Sequence, residues 1–195
     1  MNSKSVNNEY PVLSFGTSED FRKWLEENHS DASGIWLRIF KKKSGVDSIN
    51  YDLALEEALC YGWIDGQLKT YDEQSYIQKF TPRRSHSMWS KRNIEHVMRL
   101  EKEGRMTPAG TKEAEAAKAD GRWNVSYDSP ANMAIPEDLQ RALSKDSKLA
   151  EFFNKLSKAN KYAIAWRLQT ARKPETRAKR MKDILEMLSK GQKFH

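Results

Sequence analysis

Two arginines, three serines and a tryptophan crowd into eight residues near the middle of the chain: Arg83, Arg84, Ser85, Ser87, Trp89 and Ser90. Lys91, Arg92 and Asn93 follow where helical spacing begins. Such a run at a helix N-terminus offers unbonded amides, a partial positive charge, guanidinium forks and hydroxyls, which together suit a phosphate or carboxylate. Upstream, Trp63 and Asp65 stand in the run GWIDG. The candidate ligand-binding set is therefore Trp63, Asp65, Arg83, Arg84, Ser87, Trp89, Ser90 and Asn93. Open to solvent, the two tryptophans would stack on a base or sugar, as in single-strand nucleic-acid binders. The alternative is architectural: arginines paired with Asp65, Asp72 or Glu73, and tryptophans packed in a core.

Catalysis finds less support. Asp65 is a candidate general base, but no partner that would tune it is set by spacing. Cys60 and His86 offer a thiolate and a base, yet Cys60 falls on an apolar helical face where an inert thiol is expected. The four histidines, at 29, 86, 96 and 195, lack metal-ligand spacing with each other or with Cys60. No phosphate loop, dinucleotide fingerprint, nucleophile elbow or zinc-finger pattern is present. No catalytic residue, metal or cofactor is assigned.

These residues sit in a 195-residue chain with a formal charge of +7. That balance favours anionic partners: an anionic small molecule or phosphate-bearing ligand, or nucleic acid. Basic residues gather at Arg38 to Lys43, Lys79 to Arg105 and Lys158 to Lys182, the last with the spacing of a solvated helical face. A single cysteine, no apolar leader in MNSKSVNNEY and no transmembrane segment lead to an expected cytoplasmic location.

The elements that must position the candidate set follow from periodicity. Residues 1–16 read as a flexible arm. Thr17, Ser18 and Asp20 form a helix-start pattern before Phe21, Trp24 and Leu25. Gly34 to Phe40 reads as a strand, and Asp52 as the cap of a helix through Leu55, Ala58 and Leu59 that stops at Gly62. Trp63 to Thr70 and Ser75 to Thr81 alternate as a hairpin ended by Pro82. A helix with Ile94, Val97 and Met98 comes next, then an Ala-rich helix after Thr107-Pro108 expected to pack lightly at the surface. Residues 122–135 read as a linker. Pro136 with Leu139 and Leu143, Leu149 to Leu156, Tyr162 to Leu168 and Pro174 to Leu188 mark four short helices that should stack as a bundle. The expected fold is α+β and mostly helical: a small antiparallel sheet of one strand plus a hairpin, covered by helices, over residues 17–124, then a helical region over 125–195.

The runs Glu57 to Gly66, Phe80-Thr81-Pro82-Arg83-Arg84, Ser87-Met88-Trp89-Ser90 with Asn93, and Gly104 to Gly110 resemble the YdeI/OmpD-associated family. Pro136 with Asp138-Leu139, Phe152-Phe153 and Ala171 to Arg177 resemble that family's bacteriocin-protection (OmdA) module. The resemblance implies a bacterial protein linked to protection against bacteriocins or cationic antimicrobial peptides, named for association with an outer-membrane porin. It supplies no catalytic residues. A chain at +7 repels a cationic peptide, so any protection is expected to be indirect. The favoured expectation is a non-enzymatic stress or resistance factor that binds an anionic ligand or partner. A nucleic-acid-binding module that also uses the Lys158 to Lys182 helices, and an enzyme working through Asp65 or His86, are the alternatives; the protein partner stays open.

Overall fold

The computed structural model describes residues 10–128 and 132–194. The first nine residues of the expected arm, residues 129–131 of the expected linker, and His195 lie outside the described residues. The chain divides into two compact units, one formed by the described residues through Ser87 with Glu95–Ala116, the other by Met88–Ile94 with Ala117 onward.

In the first unit, Thr17 and Asp20 close the expected capping box at the start of α1 (Ser18–Asn28), which buries Phe21 and Leu25. The next helix, α2 (Tyr51–Cys60), is capped by Asn50, whose side-chain oxygen accepts the N–H of Leu53 at 3.0 Å. Asp52, the expected cap, lies inside the helix. A cap needs an extended backbone to bring its oxygen back to the first turn, and Asn50 has it. Every residue from Ala54 to Cys60 is buried, including Glu56 and Glu57.

The sheet holds the expected strand, β2 (Ile35–Phe40), and the expected hairpin, β3 (Trp63–Thr70) with β4 (Ser75–Pro82). It also holds a fourth strand, β1 (Val12–Leu13), drawn from the segment expected to be an arm. The order is β1-β2-β4-β3, with β1 parallel to β2 and the other pairs antiparallel, so the sheet is mixed. β1 is too short to show alternation, and it is held by a main-chain bond in which Trp36 N–H donates to Pro11 O at 2.8 Å.

Register sorts the side chains onto two faces. Ile35 opposite Phe80 and Leu37 opposite Gln78 share one face. Both helices meet it: the Phe21 ring of α1 lies 5.9 Å from that of Phe80, and Tyr51 of α2 donates its hydroxyl to Asp65. Trp36 opposite Lys79 and Arg38 opposite Ile77 belong to the other face.

At the end of α2 the chain reverses through Gly62, whose φ of +75° is a left-handed conformation that costs a glycine nothing. The carbonyl of Cys60 there accepts both the N–H and the hydroxyl of Thr107, at 3.1 and 2.7 Å. Thr107 directly precedes α4 (Pro108–Ala119); α3 (Lys91–Lys102) comes before it, and the division between the units falls within both helices. Light packing was expected of the Ala-rich α4, but Ala114 and Ala117 are wholly buried. Small side chains allow close backbone approach, which is a tight form of packing.

The second unit is the expected bundle: α5 (Glu137–Leu143), α6 (Ser147–Lys155), α7 (Lys158–Gln169) and α8 (Pro174–Ser189). Asp146 and Ser157 cap α6 and α7, and Pro174 opens α8. Leu139, Phe153, Ile164, Leu168, Ile184 and Leu188 form its buried core. Among the described residues no strand occurs after β4.

A substitution at Gly110 tests the close approach. Alanine in a helix interior is ordinarily favoured over glycine by about 1 kcal/mol. Here a Cβ would come within 2.2 Å of the Cys60 carbonyl oxygen, a backbone atom with no rotamer to yield. The clash decides the sign: Gly110→Ala should destabilise the protein by about 2 kcal/mol or more, read as a fall in urea midpoint at unchanged slope.

Candidate functional site

The eight residues expected to form one ligand site fall into both units: Trp63, Asp65, Arg83, Arg84 and Ser87 in the first, Trp89, Ser90 and Asn93 in the second. In the first unit, Trp63 is 1% exposed, packs edge-on to Trp24 at 5.8 Å and donates its indole N–H to His29 O at 3.1 Å. Its ring has no face open for stacking. Asp65 accepts the Tyr51 hydroxyl at 2.9 Å. Arg83 is buried and its main-chain N–H donates to Gly62 O at 3.0 Å, whereas Arg84 is exposed. Arg84 N–H donates to Ser87 Oγ at 3.1 Å and Ser87 N–H to Arg84 O at 2.8 Å, so this serine closes a turn.

In the second unit, Trp89 is 1% exposed and lies 5.1 Å from Trp123. Ser90 caps α3 by accepting the N–H of Asn93 at 3.1 Å, and Asn93 is buried. Main-chain bonds join Lys91 N–H to Tyr127 O and Tyr127 N–H to Trp89 O, and Lys91 Nζ reaches Asp128 at 2.8 Å. The Lys91 contact holds the Asp128 carboxyl below its usual range. The side chain of Lys91, the first residue of α3, is therefore already paired with a carboxylate of its own chain. These contacts also make residues 123–128 of the expected linker a packed segment.

Sequence reading passed over a different arrangement in the first unit, on the sheet face opposite α1 and α2. Lys69 Nζ sits 4.4 Å from the centre of the Trp36 ring, and Lys79 Nζ 4.4 Å from that of Tyr10. The Arg38 guanidinium lies 4.4 Å from Phe40 and 4.7 Å from Tyr71, while bonding Ser75 at 2.9 Å and Asp72 at 2.7 Å. Tyr71 is 45% exposed. Three cations over four rings on one face form a surface able to hold an anion and present aromatic faces beside it. The only signal in the sequence was the period of two in Trp36, Arg38 and Phe40.

A second cluster, also unforeseen, surrounds the buried carboxylates of α2. Glu57 pairs with Arg22 of α1 at 2.8 Å and with Arg105 at 2.5 Å; Glu56 pairs with Arg105 at 3.0 Å and with Arg99 of α3. Each carboxylate takes two guanidinium contacts, the condition for keeping a charge in a partly dry place. Cys60 is wholly buried beside this cluster, and burial pushes its thiol up from the ordinary value. Among the described residues no group of three or more His, Cys, Asp or Glu is placed to hold a metal ion.

Comparison with known families divides the chain in a similar place. The model described as "Domain of unknown function (DUF8412)" matches residues 13–113, more than half of the chain. The chain belongs to that family. The model described as "Bacteriocin-protection, YdeI or OmpD-Associated" matches residues 132–191, so the resemblance read from the C-terminal motifs is shown for that module. The motifs from Glu57 to Gly110 that carried the rest of the resemblance fall within the DUF8412 match. No curated protein and no solved structure matches the chain.

Within the OmdA module, two motif residues explain each other. Arg177 of α8 forks onto Asp138 of α5 at 2.8 and 2.9 Å, and also donates to Leu168 O at the end of α7. One guanidinium thus ties three helices of the bundle. The Arg177 bonds hold the Asp138 carboxyl below its usual 3.8.

Two outcomes follow from these placements. A carboxyl whose folded value is depressed contributes stability that is full above its unfolded value and is lost as pH falls through the folded one. Melting of Arg177→Met should therefore trail the parent by about 1 kcal/mol at neutral pH, a modest figure because both groups are a third exposed. The gap should narrow as pH falls below about 4. Cys60 should react with a disulfide reagent only as fast as the native fold opens, since neither access nor thiolate is available before that.

Proposed function

We propose that the DUF8412 part of this chain is a non-catalytic binding module for a phosphate-rich polyanion, seated on the outer face of β2, β4 and β3. The reading is supported by one observation above the others: Lys69, Lys79 and Arg38 are gathered on one sheet face, each over an aromatic ring. A ring attracts a cation without neutralising it, so such a face keeps positive charge beside flat aromatic surface. The net charge of +7 adds a long-range pull of the same sign. The Arg83 and Arg84 turn is a subsidiary part of the reading, through the exposed Arg84.

The C-terminal model's description carries the idea of bacteriocin protection, and we extend it to this chain as an indirect role. A basic protein does not sequester a cationic peptide, so the effect would run through an anionic cell component, in the cytoplasm where the lone buried thiol is suited to reducing conditions.

Long-chain inorganic polyphosphate is the probe. The parent should bind it with an affinity that falls steeply with salt, because each lysine or arginine contact releases counterions from the polyanion. Lys69→Ala/Lys79→Ala should weaken binding by about tenfold or more and flatten the salt slope by about two units, while the protein stays folded and loses only the about 0.5–1 kcal/mol that each ring contact is worth. Lys158→Ala/Lys179→Ala, on α7 and α8, should leave both intact. If that pair abolishes binding and the sheet pair does not, the seat is on the bundle and the proposal is wrong.

A further inference from the structure

We infer that the polyanion taken by this sheet face is single-stranded nucleic acid, an inference that rests on the polyanion reading above and narrows it. A ligand made only of phosphate needs only cations. Here three cations of the face each rest on an aromatic ring, at 4.4 Å for Lys69 on Trp36, Lys79 on Tyr10 and Arg38 on Phe40. The π-face that attracts an ammonium is the same surface on which a base stacks, and stacking on aromatic side chains beside a basic track is how single strands are held.

The spacing argues against a duplex. Trp36 and Phe40 lie on the same side of β2 with Arg38 between them, about 13 Å apart along the strand. Bases in a duplex stay stacked at about 3.4 Å per step and offer no free face, so a duplex would meet the cations alone. Bases seated on successive rings of this sheet must be splayed, and only a single strand splays them without cost in pairing.

Trp36 adds a coupling between the two contacts. Trp36 is 3% exposed, with the Lys69 ammonium over its ring. A phosphate that draws the Lys69 ammonium outward removes part of that cover, so the side chain that binds the backbone also bares the platform for the neighbouring base. Tyr71, 45% exposed and under Arg38, is available without such a step. Stacking of this kind serves any base, so the binding should be tolerant of sequence.

The test compares fluorescent oligo-dT and oligo-rU of about fifteen nucleotides with a blunt duplex of the same length and with inorganic polyphosphate of equal charge. The expected order places the single strands at least about tenfold tighter than duplex or polyphosphate. Tyr71→Leu and Phe40→Leu keep apolar cover but remove a stacking face. Each should weaken the oligonucleotides by about tenfold and leave polyphosphate unchanged. Melting temperature checks the fold, and Tyr71→Leu, at an exposed position, carries the test alone if Phe40→Leu does not fold. Equal binding of oligonucleotide and polyphosphate, indifferent to both ring changes, would overturn the inference while leaving the polyanion reading standing. A preference for duplex would also overturn it. If the parent binds neither polyphosphate nor oligonucleotide, both readings fall together.

Discussion

The reversal at the end of α2 holds the first unit together. Three chain segments meet within a few residues there: the Cys60 carbonyl takes Thr107, the Gly62 carbonyl takes the N–H of Arg83, and Gly110 lies against the Cys60 carbonyl. The last carbonyls of a helix have no partner inside it and must find one elsewhere. Here the partners come from the end of β4 and the start of α4, segments about 20 and 45 residues away in the chain. Gly62 is required on two counts, its left-handed φ and the 3.0 Å that would separate a Cβ from Ala109 O. Satisfying those carbonyls sets where the hairpin begins, and therefore which side chains of β3 and β4 face outward.

That junction also explains why the GWIDG and FTPRR runs look functional in the sequence. They are rich in residue types that bind ligands, but Trp63 is consumed by the core, Arg83 is buried at the junction, and Asp65 takes a tyrosine hydroxyl. The same applies to Asp138 and Arg177, motif residues whose bidentate pair closes the bundle. Distinctive residue types at close spacing mark places where the backbone needs special partners as readily as places where a ligand does.

Periodicity made the helices, the hairpin and the bundle legible, because burial on one face of each element leaves a repeat of 3.6 or 2 residues. It missed β1, whose two residues are shorter than any repeat, and misjudged α4, where burial is carried by alanines that hydrophobic patterning discounts. The aromatic and cationic face stayed hidden for a different reason. Apart from Arg38 with Phe40, its pairs join residues distant in sequence, such as Trp36 with Lys69 and Tyr10 with Lys79, and the register of β2 against β4, with β3 beside it, puts the strand residues on one side. Strand order cannot be read from alternation alone.

The two faces of the sheet treat charge in opposite ways, and the contrast bears on what the outer face can do. On the helix side, Glu56 and Glu57 are buried and each is met by two guanidinium contacts, so that removing one partner would strand charge. Those arginines are committed to the fold. On the outer side, Lys69 and Lys79 rest on rings, contacts of about 0.5–1 kcal/mol each, far less than the loss from breaking a buried ion pair. The carboxylates of α2 are spent on joining that helix to Arg22, Arg99 and Arg105, whereas the cations of the outer face lie over rings that leave their charge un-neutralised.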